Sequence, residues 1–318
     1  MKKIKDIRRK PKHITMIGGQ ALIEGVMMKG PKNIAIAVRK PDGDIDFSTQ
    51  SLRKVGSKYK FLKLPFIRGS VALLEAMVTG VKSLMYSAQI WEVEEDEEPG
   101  RFEKFLEKIF KDKAEDVAIY FSFFLSMLIA VFLFMLGPSF LTNFLKTKVE
   151  NHLVLNIIEG VVRVALFLTY VIAISRLEDV KRVFQYHGAE HKVIHCYENM
   201  EELTVENAKK YTTLHPRCGT SFIFMVMIVS ILIFSFFGWP NPLVRAMLRI
   251  VLLPVIAGIS YEINRYTGRS TSYFAYVVSY PGLLLQKITT SEPDDSQLEV
   301  AIEALKGVLV EDREADRW

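Results

Sequence analysis

One stretch limits what this chain can fold into more than any other: Val117–Leu136 runs for twenty residues without a charged side chain. At about 1.5 Å of helical rise per residue, it reaches across the roughly 30 Å hydrocarbon core of a bilayer. Backbone in lipid must satisfy its own hydrogen bonds, so a helix is expected, ending at Gly137-Pro138. Three more segments share the pattern. Leu153–Ile174 is apolar apart from Glu159 and Arg163. Ser221–Phe237 stops at Gly238-Trp239-Pro240, and Leu243–Ile259 carries Arg245 and Arg249 near its start. The chain has 318 residues, half of them hydrophobic, two cysteines and a formal net charge of +5. Those figures exclude a disordered chain, a collagen-like repeat and a disulfide-stapled secreted domain. The fold class expected is a mainly α-helical polytopic membrane protein, with about four transmembrane helices plus interfacial helices. A small cytosolic N-terminal α+β region containing a β-hairpin accompanies it.

Two other segments are less clear-cut. Leu64–Ile90 is apolar on one side but carries Arg68, Glu75 and Lys82, which suits an amphipathic helix lying on the membrane or packed against the bundle. Tyr273–Leu285 is short, aromatic and interrupted by Pro281-Gly282; it reads as a re-entrant or interfacial element, with a fifth span as the alternative. Lys and Arg crowd the N-terminus (residues 2–12) and the stretch 175–218, whereas the connections after the first and third spans are poor in them. The positive-inside rule then places both termini and the 175–218 loop in the cytoplasm. The basic N-terminus leads into a Gly-rich polar stretch instead of an apolar core, so no signal peptide is expected. Cytoplasmic Cys196 and Cys218 stay reduced, as ligands or packing residues. Along the chain, 1–115 is a cytosolic region with a hairpin and an amphipathic helix. Residues 116–290 form the bundle with its cytosolic 175–218 loop, and 291–318 a cytosolic C-terminal helix. The hairpin is read from Ile34–Arg39 and Asp44–Ser48 around an Asp42-Gly43 turn. The acidic run Glu92–Glu98 reads as a solvated linker.

Four of the six histidines fall between residues 187 and 215. His187, His191 and His195 are spaced by four, so a helix stacks them along one face with Glu190 and Glu198 beside them. The core of this row, His187-Gly-Ala-Glu190-His191, is His-x-x-Glu-His, the inverted zincin pattern. Two imidazoles one turn apart can grip Zn²⁺, and the glutamate between them can take a proton from water acidified by the metal. Gly188 costs such a helix about 1 kcal/mol relative to Ala. A catalytic site of this type takes a third protein ligand. Glu262 at the cytoplasmic end of the fourth span, and His215 and Cys218 at the entrance to the third, are the candidates, because all fall at one membrane face.

The stretch Ile17–Gly30 is Gly-rich but matches neither a dinucleotide fingerprint nor a P-loop. It reads as a loop or helix cap, with Gln20 and Glu24 spaced to face a shared site. Glu159 and Arg163, four apart inside a span, are spaced to pair on one helical face.

In order along the chain, GGQALIEGVMM, RGSVALLEAM, YHGAEHKVIHCYE, HPRCGTSF and ISYEINR resemble the YqhQ-like family of bacterial membrane proteins. The likeness continues to LLLQKITTSEPDDSQLEVAIEAL. The family is described as predicted metal-dependent enzymes, so the resemblance implies metal ligands among His187, Glu190, His191, His195, His215 and Cys218. It implies no particular substrate.

The leading functional expectation is a zinc-type metal-dependent hydrolase at the cytoplasmic face of a bacterial inner membrane. His187 and His191 bind the metal, Glu262 or a His215/Cys218 group completes the shell, and Glu190 is the general base. Such a site suits a lipid-like or membrane-proximal peptide substrate. One alternative is a transporter or channel, with Glu159 and Arg163 lining a water-filled path. Another is a non-catalytic scaffold with a structural metal, docking a cytosolic protein. Membrane lipid is an expected partner, a homo-oligomer is compatible with the sequence, and no specific nucleic acid is expected.

Overall fold

In the computed structural model the described residues are 11–52, 60–91, 114–238, 241–270 and 272–317. The basic residues 2–10 and the acidic run 92–98 lie outside them. The chain divides into two compact units. The first comprises Met1–Trp91, Tyr170–Ser230 and Leu252–Trp318; the second comprises Glu92–Thr169 and Ile231–Val251. Both are assembled from segments distant in sequence.

The first unit is built on an antiparallel meander of β1 (Gly18–Leu22), β2 (Gly25–Lys29), β3 (Asn33–Arg39) and β4 (Ile45–Ser51). The β3–β4 hairpin is the one read from the sequence, paired in the register Ile36↔Ser48. The Gly-rich stretch is not a loop or cap, as expected, but the β1–β2 hairpin, with Gln20↔Met27 opposed. Glycine is a poor strand former, and here cross-strand pairing decides the conformation. The hairpin turns at Ile23-Glu24, where Glu24 takes a left-handed φ of 48°.

Alternation along β2 and β3 buries both faces of the sheet. Val26, Met28, Ala35 and Ala37 join a core with Tyr186, Ala189 and Val193 of α5 (Glu178–Glu198) and Leu298, Ala301 and Leu305 of α10 (Asp295–Lys306). Met27, Ile36 and Val38 meet Tyr86, Ile90 and Trp91 of α1 (Ile67–Trp91) on the other face. Helix α10 begins with a capping box between Asp294 and Gln297, closing two otherwise unpaired N–H groups. The Trp91 indole donates to the Arg39 carbonyl at 2.6 Å and the Tyr86 hydroxyl to Asp46 at 2.5 Å, pinning the end of α1 to the sheet. Near the start of α1, Gly69 and Gly258 let the chain pass close to α8 (Pro242–Arg269), since a Cβ at either would lie within 2.6 Å of the neighbouring residue. Helix α9 (Tyr273–Thr289) runs unbroken through Pro281-Gly282, contrary to expectation. Its Gly282 has no side chain because Ser221 occupies that space.

The second unit contains α2 (Ala114–Val131), a π turn (Phe132–Leu136), α3 (Gly137–Asn143) and most of α4 (His152–Ile174), with the adjoining ends of α7 (Gly219–Ser235) and α8. The expected break at Gly137-Pro138 does not occur. Gly137 N–H bonds the Phe132 carbonyl five residues back, and this widened turn absorbs the proline. The other described elements are a short helix α6 (Val205–Lys209) and two 3-10 turns, Lys60–Lys63 and Arg313–Asp316.

Four helical stretches are long and apolar enough to cross a membrane: Ile67–Trp91, Phe124–Asn143, His152–Ile174 and Leu243–Arg269; Gly219–Ser235 is a shorter apolar helix. Against the sequence expectation, α1 therefore replaces the Ser221–Phe237 segment among the longest four.

Candidate metal centre

Helix α5 carries the whole histidine row, and the predicted glycine penalty has a specific cause. A Cβ on Gly188 would lie 2.1 Å from the Ser291 carbonyl oxygen and 3.1 Å from Thr213. The missing side chain thus lets the ends of two neighbouring segments reach the histidines. His187 Nδ1 donates to the Thr289 carbonyl at 2.8 Å, and His191 Nδ1 to the Thr213 carbonyl at 2.5 Å. Carbonyl oxygens only accept, so each ring carries a proton on Nδ1, the tautomer that turns Nε2 toward a cation.

The two Nε2 atoms converge. His187 Nε2 lies 3.1 Å from Cys218 Sγ. His191 Nε2 is buried with no hydrogen-bond partner. The ligand atoms of His187, His191 and Cys218 all lie within 4.8 Å of one another. Cys218 immediately precedes α7, and the Thr220 hydroxyl and N–H meet its sulfur at 3.1 and 3.4 Å. Burial alone would raise the Cys218 thiol, but contact with His191 and these Thr220 hydrogen bonds outweigh it and hold the thiol below its usual range. Burial lowers His191 to about 4, so it is a neutral ligand at physiological pH.

Glu190 stands beside this triad. Its Oε1 accepts the Gly19 N–H at 2.9 Å. Burial pushes it up to about 7, against the lowering pull of His187 and the Gly19 N–H. Gly19 must be bare: a Cβ there would lie 2.6 Å from the Met27 carbonyl and 3.0 Å from the Glu190 carboxyl carbon. The Gly-rich hairpin thus reaches the site through a backbone N–H. Gln20 and Glu24, spaced in the sequence to face a shared site, take separate partners. Gln20 bonds the Gly80 carbonyl of α1, and Glu24 takes a two-pronged grip from Arg182 and the Tyr186 hydroxyl.

The remaining candidates form a second group, His195, Glu198 and His215, also within 4.8 Å of one another. Its polar atoms are already engaged. His195 Nε2 donates to the Leu214 carbonyl at 2.9 Å, with Tyr211 stacked on the ring. Glu198 is clamped by Arg217 and also accepts the Thr15 N–H at 3.0 Å. His215 lies 3.5 Å from Glu198, and its backbone is bracketed by Gln286 of α9, which bonds both its N–H and its carbonyl at 2.8 Å. Burial lowers both His195 and His215, leaving them neutral. Glu262 joins neither group, because Arg68 holds both its oxygens at 2.6 and 2.5 Å. Sequence reasoning missed Thr213, Thr289 and Gly19, which act through backbone atoms and leave no side-chain signature.

Fold and site together define a mainly helical protein, with helices of membrane-spanning length and composition and a buried His/Cys cluster at the head of an apolar helix. Residues 64–311 match the family described as protein of unknown function (DUF1385), and the chain belongs to that family. It is 38% identical over 300 residues to the uncharacterised protein YqhQ of Bacillus subtilis (strain 168), with 92% of each chain covered. No solved structure matches it.

Proposed function

We propose that the protein is a zinc-type metal-dependent hydrolase of the bacterial inner membrane, with its site at the cytoplasmic face. The carrying observation is the buried His191 Nε2 with no partner, aligned with His187 Nε2 and Cys218 Sγ around one point. A tetrahedral zinc centre sets such donors about 3.3–3.6 Å apart; here His187 Nε2 and Cys218 Sγ are 3.1 Å apart and all three donors lie within 4.8 Å of one another. The donor chemistry fits, with two imidazoles, a thiol held below its usual range, and outer carbonyls fixing each ring. The second group fits less well, because a cation there would have to displace Arg217 from Glu198.

A bound cation would supply Lewis acidity. Glu190 has the position and the near-neutral proton affinity of a general base or acid, and the Gly19 N–H fixes one of its oxygens. Three protein ligands among the described residues would leave a fourth position for substrate, the arrangement of a catalytic centre. The transporter alternative needs Glu159 and Arg163 to line a wet path. In the structure the two pair with each other at 3.1 Å, and Glu159 is buried.

The test is metal content of the detergent-purified full chain, beside the His187→Ala/His191→Ala double variant. The expected result is about one zinc per wild-type chain, consistent with a three-ligand site, and none in the variant. Glu190→Gln should keep its metal and lose about 100-fold or more of any turnover of a fluorogenic casein or p-nitrophenyl ester probe. Equal metal in wild type and double variant, or none in either, would overturn the assignment.

A further inference from the structure

Glu198, the last residue of α5, is 1% exposed. A charge buried that deeply needs a cation beside it, and a guanidinium or a metal ion can serve. Here the cation is Arg217. Its Nη2 bonds Glu198 Oε1 and lies 3.4 Å from His215 Nε2, while its Nη1 lies 3.4 Å from the Gly268 carbonyl oxygen. A Cβ on Gly268 would lie 2.9 Å from Arg217 Cγ, so the bare backbone of α8 leaves the arginine its path to Glu198.

The groups around that guanidinium are also metal donors. His195 Nε2 donates to the Leu214 carbonyl at 2.9 Å, and its Nδ1 has no hydrogen-bond partner among the described residues. Glu198 Oε2 lies 3.5 Å from His215 Nε2. One donor atom each from His195, Glu198 and His215 falls within 4.8 Å of the other two. Two imidazoles and a carboxylate make a zinc-type donor set. A guanidinium and a divalent cation therefore compete for the same carboxylate. Arg217, His195 and Glu198 all border one cavity of about 640 Å³, which gives the guanidinium room to leave by turning its own side chain. Its departure alone would strand Glu198 as an uncompensated buried charge, so it is coupled to the arrival of another cation.

We propose that His195, Glu198 and His215 form a second divalent-cation site held shut by Arg217, and that a zinc ion enters it when the guanidinium swings off Glu198. The site shares no ligand with the His187, His191 and Cys218 centre and does not depend on that assignment.

The experiment titrates zinc into the chelator-stripped full chain in mild detergent, against a chromophoric chelator as competitor. Wild-type protein should bind zinc at this site weakly. Arg217→Gln should bind it about tenfold or more tightly, because a charge-assisted competitor for Glu198 is gone. Adding His195→Ala to Arg217→Gln should abolish the gain. Both variants keep the first centre, so a failure of that centre would lower their zinc content alike and leave the difference between them intact. Zinc should also raise the melting temperature of Arg217→Gln by more than that of wild type, since it restores a cation to Glu198. If Arg217→Gln does not fold, Arg217→Lys, which keeps a charge but loses the fork, takes its place with a gain in the same direction. The inference fails if the folded Arg217 variant binds zinc no more tightly than wild type, or if His195→Ala leaves the gain in place.

Discussion

At the scale of single residues, Glu190 and His191 pull stability in opposite directions with pH. In the metal-free protein Glu190 is held neutral up to about 7, against an ordinary value of 4.5. The folded state therefore keeps a proton that the unfolded chain has released. That contribution is complete below pH 4.5 and is lost as pH rises to 7, by about 3 kcal/mol in all. His191, lowered from 6.5 to about 4, has the reverse sign: the unfolded chain binds the proton first, so folding weakens as pH falls from 6.5 to 4. The two largely cancel in wild type, and Glu190→Gln removes one of them. Thermal melts of chelator-treated protein should show the variant gaining on wild type between pH 4.5 and 7. A constant difference across that range would mean that Glu190 ionises normally. The histidine spacing made His187, Glu190 and His191 legible in the sequence, because side-chain chemistry repeats with the helical period. Glu262 was legible only as a carboxylate at the right end of a span, and the Arg68 fork that claims it comes from a residue nearly two hundred positions away.

At the scale of elements, α5 is held where two other segments can reach it, and Gly188 is the contact that permits this. Alanine there would favour the helix by about 1 kcal/mol. It would also drive a methyl group into the Ser291 carbonyl, which itself follows Thr289, the acceptor for His187. Overpacking of this kind costs about 1–3 kcal/mol, so Gly188→Ala should lower the melting temperature and weaken retention of the proposed metal together. Gly219→Ala is the matched control, since nothing lies within 4 Å of its would-be Cβ, and it should be close to neutral. The hairpins show what a local pattern can carry. β3–β4 announces itself through alternation and an Asp-Gly turn. β1–β2 does not, because Gly18, Gly19 and Gly25 carry turn signals, and its strands exist through pairing with β3 and cover from α5. The unbroken α9 has the same origin: Pro281 signals a break, but Gly282 against Ser221 and Gln286 on the His215 backbone hold the helix through it.

At the scale of the whole molecule, the number of membrane crossings follows from which elements share the sheet. Helices α5 and α10 both pack on it, so in a chain whose candidate spans cross a bilayer the sheet, α5 and α10 would share one side. The chain between any two of them must cross an even number of times. Between the sheet and α5, Phe124–Asn143 and His152–Ile174 supply two crossings. Helix α1 is apolar enough to add a third, but its last turn is pinned to the strands the chain has just left, through Trp91 on Arg39 and Tyr86 on Asp46. In the proposed topology α1 therefore does not count as a crossing. Between α5 and α10, parity needs a partner for α8, and the seventeen-residue α7 is the apolar helix available. At about 25 Å it is short for a typical core, and Phe236 and Phe237 beyond its end extend the apolar stretch. We propose four crossings with the basic segments inside, which would put the 144–151 connection outside and both termini in the cytoplasm. Single cysteines at Lys146 and Arg313, in a background with Cys196 and Cys218 replaced by serine, separate the possibilities. A membrane-impermeant maleimide applied to intact cells should label position 146 and leave position 313 unlabelled until the cells are lysed. Labelling of 313 from outside would give an odd count, and would place α10 across the membrane from the basic loop that the positive-inside rule holds in the cytoplasm.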